Sequence, residues 1–301
     1  MNRENRRPKL HRATLRAGLA VCLGVLAVTA ASASAATDGG HTVKVLYAGS
    51  LAHVMEDKVR PAFEKATGDH FQGYAAGSTQ LANEIKGKVR QGDVYISAHA
   101  GINKRLMGSS NGDWVSWYAT FMRSPLVIGY NPKSRFADAL QHKPWYQVVT
   151  QPGFTFGRTD PQLDPKGKLI VKAVHRIADD ENEPELRGRI MAHGQVFPEE
   201  GLVGRLQAGQ LDAGFFYKGE AAAADIPTVS IDPVKLGAVY TVTQLNRAPD
   251  SAGARDFIRF VLGPKGRKIL KDNGFNVMSP VKVSGARSAV PDALQHAIEH
   301  D

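Results

Sequence analysis

An α/β protein of two lobes, each a mixed sheet flanked by helices, is predicted by three observations. Short β-rich runs alternate with apolar runs at helical spacing, which is the rhythm of a doubly wound sheet. Two of the strand-to-helix turns end in Gly-Ser, and in open α/β sheets such turns lie at the carboxyl ends of strands, where ligands bind. About 265 residues remain once an export signal is set aside, a length that suits two lobes better than one.

The N terminus carries Arg3, Arg6, Arg7, Lys9, Arg12 and Arg16, continues with an apolar run over residues 17–30, and then shows Ala33-Ser34-Ala35. This order is that of a secretory signal peptide, predicted over residues 1–36 with cleavage after Ala35 or Ala36. The apolar run is too short to span a bilayer, and nothing later approaches the roughly 20 apolar residues that a spanning helix needs. Cys22, the only cysteine, lies inside the run and is expected to be discarded, so the mature chain folds without disulfides. The signal also carries six of the basic residues against Glu4, which reduces the net charge from +9 to +4. The remaining basic residues are scattered, and nucleic-acid binding is not supported.

Strands are expected at 43–48, 71–75 and 93–97, each feeding a helix: to 66, to 89, and from 102. An aromatic-rich segment over 114–122 interrupts this rhythm. It leads into a strand at 124–130 and the turn Asn131-Pro132-Lys133-Ser134. A second unit begins near Trp145. Its expected elements are a strand at 154–157, a loop at 158–167, a long helix to about 178, an acidic patch at Asp179, Asp180, Glu181 and Glu183, a helix at 200–208, and strands at 213–217, 229–231 and 239–243. An amphipathic segment at 252–262, the turn Gly263-Pro264-Lys265-Gly266 and a helix to 273 close the chain. The first lobe is then 37–123 with 243–301 and the second 124–242, with crossings near 122–126 and 241–245.

Four stretches carry the candidate chemistry. In Gly77-Ser78-Thr79-Gln80-Leu81, Gly77 permits a tight turn and Ser78 or Thr79 can cap the following helix, whose first N–H groups and positive dipole end then face outward as an anion seat. Ala48-Gly49-Ser50 repeats the arrangement upstream. In the loop over 157–167, two Asp-Pro steps hold the backbone out of the helical region before Lys166-Gly167 releases it into a helix. The run ending in Phe215-Phe216-Tyr217 presents the Tyr217 hydroxyl at a strand end. No G-x-S-x-G, Walker-type, H-E-x-x-H or C-x-x-C pattern is present, so the protein is expected not to be an enzyme and to need no cofactor. The histidines are spread singly, and only His99 is expected to face a cleft.

Taken in order, Ala-Gly-Ser after the first strand, Gly-Ser-Thr-Gln-Leu-Ala before a helix, Asp93-Val94-Tyr95-Ile96-Ser97-Ala98, Asn131-Pro132-Lys133-Ser134, Gly157-Arg158-Thr159-Asp160-Pro161 with Asp164-Pro165-Lys166-Gly167, and Phe216-Tyr217-Lys218-Gly219-Glu220-Ala221 resemble the periplasmic molybdate- and tungstate-binding proteins of ABC importers. The resemblance covers essentially all of the mature chain. It implies a type II periplasmic-binding-protein fold holding a tetrahedral oxyanion between two lobes, a periplasmic monomer, and a membrane permease as partner. Carried over residue by residue, it implies hydroxyl donors at Ser50, Ser78 and Tyr217 and backbone N–H donors near Gly167 and Val196. In the branch of the family that adds carboxylate oxygens to the metal, Asp164 takes the first position, while Phe216 precedes the tyrosine and leaves Glu220 as the nearby acid.

The physical reading agrees, because a dianion held without full counter-charge needs neutral donors fixed in advance, and carboxylates facing it must bond elsewhere or reach its metal. Two further readings stand beside this one. The cargo is another small anion such as sulfate or phosphate, or the chain is a secreted hydrolase using Ser78 or Ser97 with His99, which requires the serine and the histidine ring in contact. A purely structural partner-binding protein would have no enclosed polar cleft.

Overall fold

The computed structural model describes residues 40–299, so the predicted signal peptide, its cleavage site and Cys22 lie outside the described residues. Among the described residues there are ten strands: β1 (Thr42–Ala48), β2 (His70–Ala76), β3 (Val94–Ser97), β4 (Trp117–Tyr130), β5 (Phe156–Arg158), β6 (Gly194–Val196), β7 (Ala213–Tyr217), β8 (Thr228–Ser230), β9 (Gly237–Gln244) and β10 (Asn276–Gly285). They run in the order β2-β1-β3-β9-β4-β7-β5-β6, and β8 and β10 also pair with β4.

Strand β1 pairs in parallel with both β2 and β3, so it is covered on both sides, and Val45, Leu46, Tyr47 and Ala48 are all buried. Antiparallel β9 follows β3, and β4 follows β9, which makes this half of the sheet mixed. The far half is built the same way: β7 is antiparallel to β4, then parallel to β5, which is parallel to β6. The 14-residue β4 links the two halves. Its residues from Ala119 to Pro125 pair with β9, and those from Leu126 to Tyr130 pair with β7, with a register shift between Thr120 and Met122.

Helices cover both halves. The helix Arg60–Thr67 continues a π-helical turn at Val54–Val59 and ends at Gly68, whose φ of 79° is the left-handed cap that a side chain resists. Its Phe63 meets Phe257 edge-on at 5.2 Å, which fastens the late helix Ser251–Leu262 onto the first strands. The helix Ser78–Lys86 buries Leu81, Ala82 and Ile85 beside Leu46 and Tyr95, as its apolar spacing predicts. In the second half, the helix Pro165–Asp180 starts on a capping Asp164 and turns Ile170, Val174 and Ile177 into the core.

Two strands were not expected, β6 and β10, and the first half of β4 read only as an aromatic-rich segment. β6 has three residues. β10 contains Pro280, and its pairing with β4 shifts between Val277 and Lys282, as befits a strand that cannot donate from every residue. Among the described residues no helix is long and apolar enough to cross a membrane.

Candidate functional site

The strand ends converge on one buried polar cluster. Ser50, in the turn after β1, is 2% exposed and its Oγ lies 3.0 Å from the Tyr240 hydroxyl of β9. Ser78, the first residue of its helix, is fully buried, and its Oγ accepts the Ala98 N–H at 3.0 Å, which leaves the hydroxyl proton free to donate. Tyr217, at the end of β7, is fully buried, and its ring stands edge-on to Tyr240 with centroids 6.0 Å apart. Among the described residues, the Tyr217 hydroxyl and the hydroxyls of Thr79 and Thr159 are buried without a hydrogen bond.

The turns after β1 and β2 press directly on the second half of the chain. A Cβ built on Gly49 would lie 2.8 Å from the Glu200 nitrogen and 2.9 Å from the Glu199 Cβ, and one on Gly77 would lie 2.6 Å from the Leu163 carbonyl oxygen. The absence of a side chain at these positions permits the approach. Gln80 N–H then donates to the Leu163 carbonyl at 3.1 Å. The predicted Gly-Ser turns and the Asp-Pro loop are thus in contact, around a cavity of about 180 Å³ lined by Gly77, Gln80, Thr159, Asp164, Val196 and Glu199.

Charge in the cluster is concentrated on four groups. Lys166, fully buried, places Nζ 2.9 Å from Glu220 Oε1 and 2.8 Å from Oε2, and 3.4 Å from Glu199 Oε1. Burial alone would lower the lysine, but Glu220, Glu199 and Asp164 outweigh it and hold the ammonium above its ordinary value. The second Glu220 oxygen also accepts the Tyr217 N–H at 3.0 Å, so this carboxylate is engaged on every side. Asp164 differs. One of its oxygens caps the helix by accepting the Lys166 N–H, and the other, Oδ2, is buried with no hydrogen bond among the described residues. Burial, and next the neighbouring Glu199 carboxylate, raise Asp164 well above the usual carboxylate range. Both Glu199 oxygens are buried and lack hydrogen bonds, although one sits within ion-pair distance of Lys166. Burial first, and then Asp164, pushes the Tyr217 hydroxyl far up, and burial with Glu199 does the same for Tyr240, so both remain donors at any ordinary pH.

Of the residues expected from sequence, Ser50, Ser78, Asp164, Tyr217 and Glu220 lie in this cluster. Gly167 is buried in the helix start, where a Cβ would sit 2.6 Å from the Asp160 carbonyl carbon. Val196 is 50% exposed and lines the cavity from β6, with the next N–H, that of Phe197, donating to Arg158 O at 2.9 Å. Asp160 also lines the cavity and accepts the Gln162 N–H at 2.7 Å. Lys166, Glu199, Tyr240 and Thr159 were not singled out for the site. Lys166 carried a signal in its Asp-Pro-Lys-Gly setting, whereas nothing about Glu199 distinguished it from the exposed Glu beside a helix start.

The hydrolase arrangement is not formed. Ser97 Oγ donates to the His99 backbone carbonyl at 3.0 Å, while the His99 ring accepts the Gly101 N–H and caps the helix Ala100–Lys104. Burial lowers this imidazole, consistent with its acceptor role. Among the described residues there is no group of three or more His, Cys, Asp or Glu suited to a resident metal ion.

Comparison with known proteins agrees with this architecture. The family model of the bacterial extracellular solute-binding proteins matches residues 43–276. A putative ABC transporter molybdenum-binding protein of Haloferax volcanii is 27% identical, covering 78% of this chain and 82% of its own. The molybdate/tungstate-binding protein WtpA of Pyrococcus abyssi is 25% identical, covering 87% and 91%. The solved periplasmic molybdate-binding protein of Azotobacter vinelandii superposes with a TM-score of 0.59 at 19% identity, over 77% of this chain and 98% of that one. With its strand-end cluster between two mixed half-sheets, the chain belongs to the bacterial extracellular solute-binding protein family and has the two-lobed type II periplasmic-binding-protein fold.

Proposed function

We propose that the protein is the solute-capturing component of an ABC importer, exported to the periplasm, that closes two lobes around molybdate or tungstate and presents the closed form to a membrane permease. The observation that carries this reading is the set of buried hydroxyls at strand ends, Ser78, Tyr217, Thr79 and Thr159, which have donor capacity left over; Thr159 lines the small cavity, and Ser78 follows Gly77 of its lining. Neutral donors fixed before the ligand arrives suit a dianion, because they lose no reorganisation energy on binding. The names of the Haloferax and Pyrococcus relatives support the same solute class.

The carboxylates refine the choice of anion. Glu220, the second acid that the family resemblance suggests, is committed to Lys166 and the Tyr217 N–H. Asp164 and Glu199 hold the oxygens that remain free, and in this reading they reach the molybdenum or tungsten centre, which accepts ligands beyond its four oxygens. Sulfur in sulfate and phosphorus in phosphate do not, so those anions gain no such ligand. The lobes in this reading are the half-sheets on either side of β4, with one crossing near Ser124–Leu126, and the contacts of Gly49 and Gly77 with 163–200 belong to the closed state. A thermal-shift screen of oxyanions tests the assignment. A large shift with molybdate and tungstate and little with sulfate or phosphate is expected; an equal or larger shift with sulfate or phosphate overturns it.

A further inference from the structure

A sizeable cavity lies away from the strand-end cluster. It measures about 640 Å³, within the roughly 300–1,000 Å³ of small-molecule sites. Its floor is the pair of strands where the halves of the sheet join: Arg123, Ser124 and Pro125 of β4 pair there with Val239, Ala238 and Gly237 of β9. Tyr240 faces Ser50 while its neighbour Val239 lines this cavity, and Tyr217 is fully buried in the cluster while its neighbour Lys218 lines the cavity. The cavity and the candidate oxyanion site thus draw on neighbouring residues of β9 and of the junction between β7 and the helix that follows it.

The lining has two parts. Leu126, Ile231 and Val234 supply buried apolar surface. Arg123, Lys218 and Lys235 come from three separate segments, β4, the start of the helix Lys218–Ala223 and the loop before β9, and all three are exposed. Among the described residues none of these three side chains makes a hydrogen bond or ion pair, whereas Arg60, Arg189 and Arg259, likewise exposed, each pair with a neighbouring carboxylate. The single acid of the lining, Asp232, already accepts the Ser230 hydroxyl at 2.5 Å. Three unengaged cations around an apolar floor match one ligand chemistry: an apolar body carrying a carboxylate or sulfonate.

From this geometry we infer that the cavity behind the β4–β9 crossing is a second ligand site, selective for a small amphiphilic organic anion. It stands whether or not the strand-end cluster takes an oxyanion. Fluorescence titration of the purified protein with 1-anilinonaphthalene-8-sulfonate, an aromatic body bearing one sulfonate, tests it. Saturable binding is expected, weakened by about 10-fold or more in the double variant Arg123→Glu/Lys235→Glu, as loss of hydrogen bonds to a charged group implies. The remote double reversal Lys65→Glu/Lys104→Glu should bind the dye as wild type does. No dye binding by the folded wild type, an undiminished affinity in Arg123→Glu/Lys235→Glu, or an equal loss in Lys65→Glu/Lys104→Glu overturns the site.

Discussion

Lys166 and Glu220, 54 residues apart in the chain, form a buried two-point ion pair, with Nζ 2.9 Å from one carboxylate oxygen and 2.8 Å from the other. The pair ties the start of the helix Pro165–Asp180 to the helix Lys218–Ala223 after β7, and Glu220 also accepts the Tyr217 N–H, so it helps fix both Asp164 and Tyr217 where they are. Breaking it strands an uncompensated charge in a dry interior. Lys166→Met is expected to cost about 3–5 kcal/mol of stability, the range for removing one partner of a buried pair. Urea unfolding measures it, and a loss below about 1 kcal/mol, typical of exposed pairs, would show that the pair is solvated.

The hydroxyl donors should matter for ligand rather than for fold. Ser78→Ala and Tyr217→Phe are each expected to weaken molybdate binding by about 1.5–3 kcal/mol, the range for a hydrogen bond to a charged group. Ser50→Ala should do the same while also losing its contact with Tyr240. Calorimetric titration of each variant gives the number; wild-type affinity in all three would place the anion elsewhere.

Asp93 gives a stability signal far from the cluster. Its two oxygens accept the N–H groups of Lys44 and Asp250, each at 2.7 Å, which joins β1 to the segment after β9. Burial nevertheless dominates and raises its carboxyl above the usual value. The folded state therefore keeps the Asp93 proton to higher pH than the unfolded state does. Its contribution to stability is greatest below the unfolded value, about 3.9, and declines as pH rises through the higher folded value. Asp93→Asn should flatten that decline in urea titrations between acid and neutral pH. It should also cost about 1–3 kcal/mol, since an amide nitrogen then faces an N–H donor. A decline of unchanged slope would assign it to another group.

The proposed closure requires the bare backbone at Gly49 and Gly77. A methyl at either position meets the facing backbone at 2.8 Å or 2.6 Å, below any ordinary contact. Gly49→Ala and Gly77→Ala are expected to hold the lobes apart and weaken molybdate binding. Small-angle scattering should show a fall in radius of gyration with molybdate for wild type and a reduced fall for both variants. An identical wild-type profile with and without saturating molybdate would remove the hinge from the account.

Much of this was legible because local rules and tertiary demands coincide. The strand at β7 was expected at its observed bounds, and β1 and β2 to within one residue at each end, since each is an apolar β-rich run bounded by turn residues. Ser50, Ser78 and Tyr217 could be found because strand ends are where a sheet exposes unpaired donors. Glu199 and Tyr240 could not. Glu199 reads as a solvated acid before a helix, and only the approach of the turn after β1 buries it. Tyr240 reads as one aromatic in an alternating strand, and its role appears once β9 is known to lie between β3 and β4. The pairing of Lys166 with Glu220 likewise depends on a contact between distant segments that no local pattern encodes.

Anomalous diffraction from crystals grown with tungstate tests the central claim most directly, because tungsten is located without reference to the protein. The account predicts one peak per chain, with its oxygens within hydrogen-bond reach of Ser78 and Tyr217 and the metal facing the free oxygens of Asp164 and Glu199. A peak on another surface, or none from protein saturated with tungstate, would contradict it.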